Sequence, residues 1–201
     1  MRNDMDLSVS AIRCGVKDYV SEQNQDHWIG TAYEGYKFLG NKQKGQFGEK
    51  IIDDLFRSLG CKVTKPSNTG HDSVVNGIRM EYKFSLSQQK NGIIQKNSWM
   101  MNHVAEGKDW EWLLFAGVNP EGTDDVVGLL SKENFVKILR TENEIKMKVR
   151  AKGQLRNKFF GAQQGGNKAD NDDWMSGSRS LVALLNSEYM IGVDEWLQTY
   201  G

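Results

Sequence analysis

Three residues whose types could do chemistry, Asp72, Glu81 and Lys83, flank an Asn76-Gly77 dipeptide in the stretch Asp72-Ser73-Val74-Val75-Asn76-Gly77-Ile78-Arg79-Met80-Glu81-Tyr82-Lys83-Phe84. Asn-Gly between two strand-like runs is the strongest short signal for a two-residue hairpin turn. Pairing across that turn sets Val75 against Ile78, Val74 against Arg79, Ser73 against Met80 and Asp72 against Glu81. Side chains alternate along a strand. Asp72, Val74, Arg79, Glu81 and Lys83 therefore share one face, while Ser73, Val75, Ile78, Met80, Tyr82 and Phe84 share the mostly apolar other. Carboxylates placed directly opposite have Cβ atoms about 5 Å apart, and like charges there are destabilising. Positive charge between them relieves the repulsion: Lys83 supplies one charge and a divalent cation supplies more. Carboxylate oxygens with several waters suit Mg²⁺. The plain alternative is a surface hairpin with a solvated charged face.

Other elements must position this hairpin. Phe47, Ile51, Ile52, Leu55, Phe56 and Leu59 recur at helical spacing and predict a helix over 44–60. Gly48 falls in the middle of that apolar stripe, where it costs helix propensity but permits close approach to a sheet. Gly60 is a candidate C′ stop. Residues 61–65 predict a short strand, 93–104 a helix, 110–118 a buried strand and 125–130 another. Ser131 is positioned to cap a helix near 131–140. The alternation of 144–151 suggests a further strand. Residues 161–178, rich in Gly, Asn, Asp and Ser, predict a mobile loop, and short helices are expected at 179–187 and 193–199. Residues 1–40 are weakly periodic and suggest one or two short helices. The order implies an α/β fold, a mixed sheet layered with helices.

On these residues, Asp72 followed by Glu81-Tyr82-Lys83 on adjoining strands resembles the signature of the PD-(D/E)xK nuclease superfamily. The preceding Lys44-Gly45-Gln46-Phe47-Gly48-Glu49-Lys50 looks like the leading helix of its type II restriction endonucleases. The resemblance covers roughly residues 44–118. It departs at His71, which stands where that signature has proline. It implies a restriction-endonuclease-like mixed β-sheet core flanked by helices, with Asp72 and Glu81 holding Mg²⁺. It further implies that Lys83 positions or deprotonates the attacking water, and that Glu49, at the edge of the apolar stripe, assists the metal directly or through water. Products would carry 5′-phosphate and 3′-hydroxyl ends.

Glu-x-Lys alone is weak evidence, since it also occurs at Glu106-Gly107-Lys108 and Glu144-Ile145-Lys146. The former sits in a turn-like stretch, and the helix predicted near 131–140 separates the latter from Asp124 and Asp125. Only Glu81-Tyr82-Lys83 combines a paired aspartate, an apolar opposite face and the leading helix. Residues 137–158 hold eight Lys/Arg against Glu142 and Glu144, an excess of six charges in a chain whose net charge is zero. Lys146, Lys148, Arg150, Lys152, Arg156 and Lys158 in this run are the candidate phosphate contacts. His71 is a further candidate for DNA contact, although a loop polar residue is the simpler reading. Gln95 is placed near the site, and Gln163, Gln164, Asn167, Asn171 and Arg179 have side chains able to read base edges.

Composition narrows the classes further. The longest apolar run, Trp112 to Val118, is far short of the roughly 18 residues a membrane helix needs. No apolar segment of secretory type opens the chain. Cys14 and Cys61 make no metal-ligand spacing, and reduced thiols in the cytoplasm are expected. The expectation is a single domain over 1–201, with its core at about 44–140 and a DNA-contacting, helical appendage at 141–201. Its activity is expected to be Mg²⁺-dependent hydrolysis of double-stranded DNA at a short specific site, as a type II restriction endonuclease. No organic cofactor is expected, and a palindromic target would imply a homodimer. The rival expectations are another nuclease of the superfamily, for repair, recombination or phage DNA processing, and a DNA-binding module without chemistry.

Overall fold

A computed structural model describes residues 26, 28–68, 70–90, 93–119, 125–141, 157–162 and 173–201. Eleven strands and four α-helices lie within them, in the order α1 (Asn41–Ser58), β1 (Val63–Thr64), β2 (Ser73–Val75), β3 (Ile78–Leu86), β4 (Gln89–Lys90), β5 (Ile93–Ile94), β6 (Met100–Ala105), β7 (Trp112–Val118), β8 (Val126–Ser131), α2 (Lys132–Thr141), β9 (Gly161–Ala162), β10 (Asp173–Gly177), α3 (Ser178–Leu185), β11 (Met190–Ile191) and α4 (Val193–Tyr200). A 3-10 turn at Tyr36–Phe38 precedes α1. Six strands form the main sheet in the order β1-β2-β3-β7-β8-β11. The β3–β7 pair is parallel and its other pairs are antiparallel. A smaller sheet, β6-β10-β9, and the β4–β5 hairpin complete the strands.

The sheet separates two cores. One face carries Met80, Tyr82, Leu114, Ala116 and Leu129 against Ile52 and Phe56 of α1 and Trp196 of α4. The other carries Leu113, Phe115 and Leu130 against Phe135, Ile138 and Leu139 of α2, Leu181 and Leu184 of α3, and Trp99, Met101 and Trp174 of the smaller sheet. This is the layered α/β architecture expected from the sequence, a mixed sheet flanked by helices.

The glycines of α1 do what their positions suggest. A Cβ built on Gly48 would lie 2.6 Å from Phe84 Cβ, so only glycine lets α1 press onto β3 here. Gly60 adopts φ +83°. Its N–H donates to Arg57 O while Cys61 N–H donates to Phe56 O, the paired bonds of a Schellman stop. Ser131 Oγ caps α2 by accepting from Asn134 N–H at 3.1 Å.

Two expectations are corrected. Residues 93–104 form β5 and β6 rather than a helix. The apolar residues Trp99, Met101 and Val104 suit either periodicity, and pairing with distant β10 decides for strand. His103, at φ 56°, marks an extra residue in β6, with two residues between Met101 and Val104 opposing one in β10. The expected loop over 161–178 is bounded by strands: 161–162 is β9 and 173–177 is β10, buried through Trp174 and Ser176. The suggested strand at 144–151 and the residues Gln163, Gln164, Asn167 and Asn171 lie outside the described residues.

The turn of the β2–β3 hairpin is tied to a remote element. Asn76 Nδ2 donates to Tyr200 O of α4 at 2.8 Å, across 124 positions. Trp196 of the same helix packs on Phe56, their ring centroids 5.5 Å apart. Among the described residues, no helix is long and apolar enough to cross a membrane.

Candidate active site

The hairpin has the register its sequence implies, Val75 opposite Ile78, Val74 opposite Arg79 and Ser73 opposite Met80. β2 begins at Ser73, so Asp72 stands just outside the ladder. Its N–H still donates to Met80 O at 2.8 Å. Its Oδ2 accepts the next N–H along β3, that of Tyr82, at 2.7 Å. A carboxylate thus takes the place of a ladder carbonyl, and Asp72 is fixed beside Glu81 by backbone geometry.

Glu81 is 1% exposed. Its Oε1 accepts from Lys83 Nζ at 2.7 Å and from Lys108 Nζ at 3.0 Å. Among the described residues its Oε2 is buried without a hydrogen-bond partner. Desolvation, then the neighbouring Glu81, push the Asp72 carboxyl upward, while the Tyr82 N–H, Lys83 and Lys108 oppose the shift. A pocket of about 270 Å³ opens here, lined by Asp72, Glu81, Lys83 and Lys108, with Lys44, Gly48 and Glu49 from α1.

α1 is registered on the hairpin by a buried polar contact, Ser73 Oγ donating to Asp53 Oδ1 at 2.6 Å. Lys65 and Arg57 bracket the other Asp53 oxygen at 3.0 and 3.5 Å. One turn earlier, Glu49 reaches the pocket. Its carboxyl is raised first by burial and then by Asp72, with Lys65, 4.0 Å away, acting in the opposite direction.

The site can be tested for its fit to a hard divalent cation. An acidic oxygen buried without a donor costs free energy that a cation would recover. Among the described residues, no three His, Cys, Asp or Glu side chains converge into a set able to hold a metal ion. Mg²⁺ does not need an all-protein cage, since it commonly keeps several waters and uses one or two carboxylates together with substrate phosphate. Asp72 and Glu81 fit that requirement, with Glu49 at the pocket wall.

The other sequence candidates are placed apart from this cluster or undescribed. His71 is buried, with Nδ1 unpartnered among the described residues, and does not line the pocket. Lys158 lies over the Phe159 ring. Lys146, Lys148, Arg150, Lys152 and Arg156 fall outside the described residues. Gln95 bonds back within the β4–β5 region, donating to Ile93 O. Arg179 lies in α3. A larger pocket of about 730 Å³ runs along β8, α3 and β11. The acid in its lining, Asp125, accepts from Asn119 N–H at 2.7 Å, and the Asp72–Glu81 pair is not part of it.

Lys108 was missed by sequence reasoning. It belongs to a Glu-x-Lys in a turn and reaches Glu81 only because β6 and β7 return that turn to the hairpin, 27 positions away. No local pattern encodes that contact.

No protein-family model matches the chain, and no curated protein matches it. Among solved structures, a neighbour described as a bacterial homing endonuclease, I-Ssp6803I, aligns with a TM-score of 0.36 and 16% identity over 48% of this chain and 69% of that one. A likeness that loose transfers neither family nor activity.

Proposed function

We propose that this protein is a Mg²⁺-dependent endonuclease of PD-(D/E)xK type that hydrolyses phosphodiester bonds in double-stranded DNA. Within that class we favour a type II restriction endonuclease leaving 5′-phosphate ends. The observation that carries the reading is the buried Glu81 carboxylate, one oxygen unpartnered among the described residues and the other shared by two lysines, fixed beside Asp72 in the lining of a pocket. A solvated surface hairpin would not bury Glu81 to 1% exposure.

When bound, Mg²⁺ supplies charge that polarises a phosphate and lowers the pKa of a coordinated water. Asp72 and Glu81 would hold it, and Glu49 would assist from α1. Lys83, buried deeper than Lys108 and anchored on Glu81, would orient the attacking water and offset charge developing on the phosphate. The basic stretch after α2, including Lys146, Lys148, Arg150, Lys152 and Arg156, would neutralise the DNA backbone. A palindromic target would call for a homodimer, because the two-fold symmetry of such a site is matched by that of the protein.

Digesting a defined plasmid with the protein and Mg²⁺ tests the reading. Discrete fragments, abolished by Glu81→Ala and by removal of divalent metal, are expected. A smear would replace the restriction role with a nonspecific nuclease of the same chemistry. Binding without cleavage under any divalent metal would leave a DNA-binding module.

A further inference from the structure

We infer that Lys108 is a substrate-phosphate contact of this site, the second ammonium of a two-lysine arrangement; the inference rests on the nuclease reading above. Lys83 already neutralises Glu81 at 2.7 Å, so a second lysine on the same oxygen is redundant for that purpose. The two differ in access. The Lys83 side chain is 16% exposed and the Lys108 side chain 38%, although both reach the same carboxylate oxygen. Lys108 is thus the more accessible of the two lysines lining the pocket, and the one an approaching phosphodiester can meet first.

The turn that carries Lys108 is held in place independently of Glu81. Lys132 Nζ donates to Lys108 O and lies 5.4 Å from the Trp110 ring centroid. Trp110 Nε1 donates to Ala105 O at 2.9 Å. On the opposite side, a Cβ on Gly70 would meet Asp109 Cβ at 2.8 Å, so the turn seats tightly against the segment that leads into Asp72. A fixed backbone with a long, partly exposed side chain lets the ammonium swing from Glu81 to a phosphate oxygen at little ordering cost. Lys83 keeps Glu81 paired while Lys108 donates to a non-bridging phosphate oxygen. Such a contact is charge-assisted and independent of base sequence.

The test compares wild type, Lys108→Met, Lys108→Ala and Lys108→Arg. Affinity for a defined duplex is measured without divalent metal across a salt series, and single-turnover cleavage is measured with Mg²⁺. Removing one phosphate contact should flatten the slope of log affinity against log salt by about 0.9. Lys108→Met and Lys108→Ala should show that loss together with cleavage slowed on the order of 10²-fold. Lys108→Arg should keep the wild-type salt slope, because the charge remains at an exposed position. If Lys108 merely neutralises Glu81, the Met and Ala variants melt at lower temperature with salt slope and cleavage unchanged, and the inference fails while the nuclease reading stands. A wild type that neither binds nor cleaves duplex DNA overturns both.

Discussion

Asp72 carries a charge that its surroundings oppose. Burial and Glu81 raise its carboxyl above the ordinary value of 3.8. A raised folded-state pKa means that protonated Asp72 favours folding. That contribution is complete below the unfolded value and is lost as pH rises through the folded one. In metal-free protein at neutral pH, ionised Asp72 therefore costs stability. Asp72→Asn, which keeps an acceptor for the Tyr82 N–H, should abolish cleavage yet raise Tm at pH 7, and the gain should disappear near pH 3. Calorimetry at both pH values checks this, and an unchanged or lower Tm at pH 7 refutes it. Millimolar Mg²⁺ should stabilise the wild type and not the variant. Asp72, Glu81 and Lys83 were legible in the sequence because a two-residue turn fixes their register locally. Lys108 and the partnerless Glu81 oxygen were not, since both depend on how residues far along the chain fold back.

At the scale of elements, the contact between α1 and β3 sets how Glu49 faces the hairpin. Gly48→Ala would place a methyl group 2.6 Å from Phe84 Cβ, an atom tied directly to the backbone of β3. The helix must move outward, at a cost of about 1–3 kcal/mol. The shift would also lift Glu49 and disturb Phe84, the neighbour of Lys83. Denaturant unfolding should show the lost stability, and cleavage should fall by more than the unfolded fraction explains. A variant as stable and active as wild type would mean that α1 does not set the site. The helix and the place of Gly48 within its stripe were readable because a period of 3.6 persists over 18 residues. The stretch 93–104 was misread because its apolar residues satisfy two periods, and a partner strand beginning at Asp173 makes the choice. Similarly, β9 and β10 are hidden in a polar, glycine-rich composition that usually marks loops.

Across the whole molecule, the proposed function requires a chain of zero net charge to concentrate positive charge locally. Replacing Lys146, Lys148 and Arg150 together with glutamine should weaken binding to all duplexes alike and reduce the salt slope by about 2.7. Discrimination between sequences should change little, because phosphate contacts carry no base information. An unchanged slope would assign that run to a solvated face. The bond from Asn76 to Tyr200 has a consequence for how the protein is made. The hairpin bearing Asp72 and Glu81 leaves the ribosome 124 residues ahead of its anchor. At about 5–20 residues per second, that interval is roughly 6–25 s. Until α4 arrives, the face under Phe56 and Tyr82 lacks Trp196 and the turn lacks its tie. The candidate site therefore keeps a loose turn until residue 200 has been made and α4 has folded back onto the hairpin.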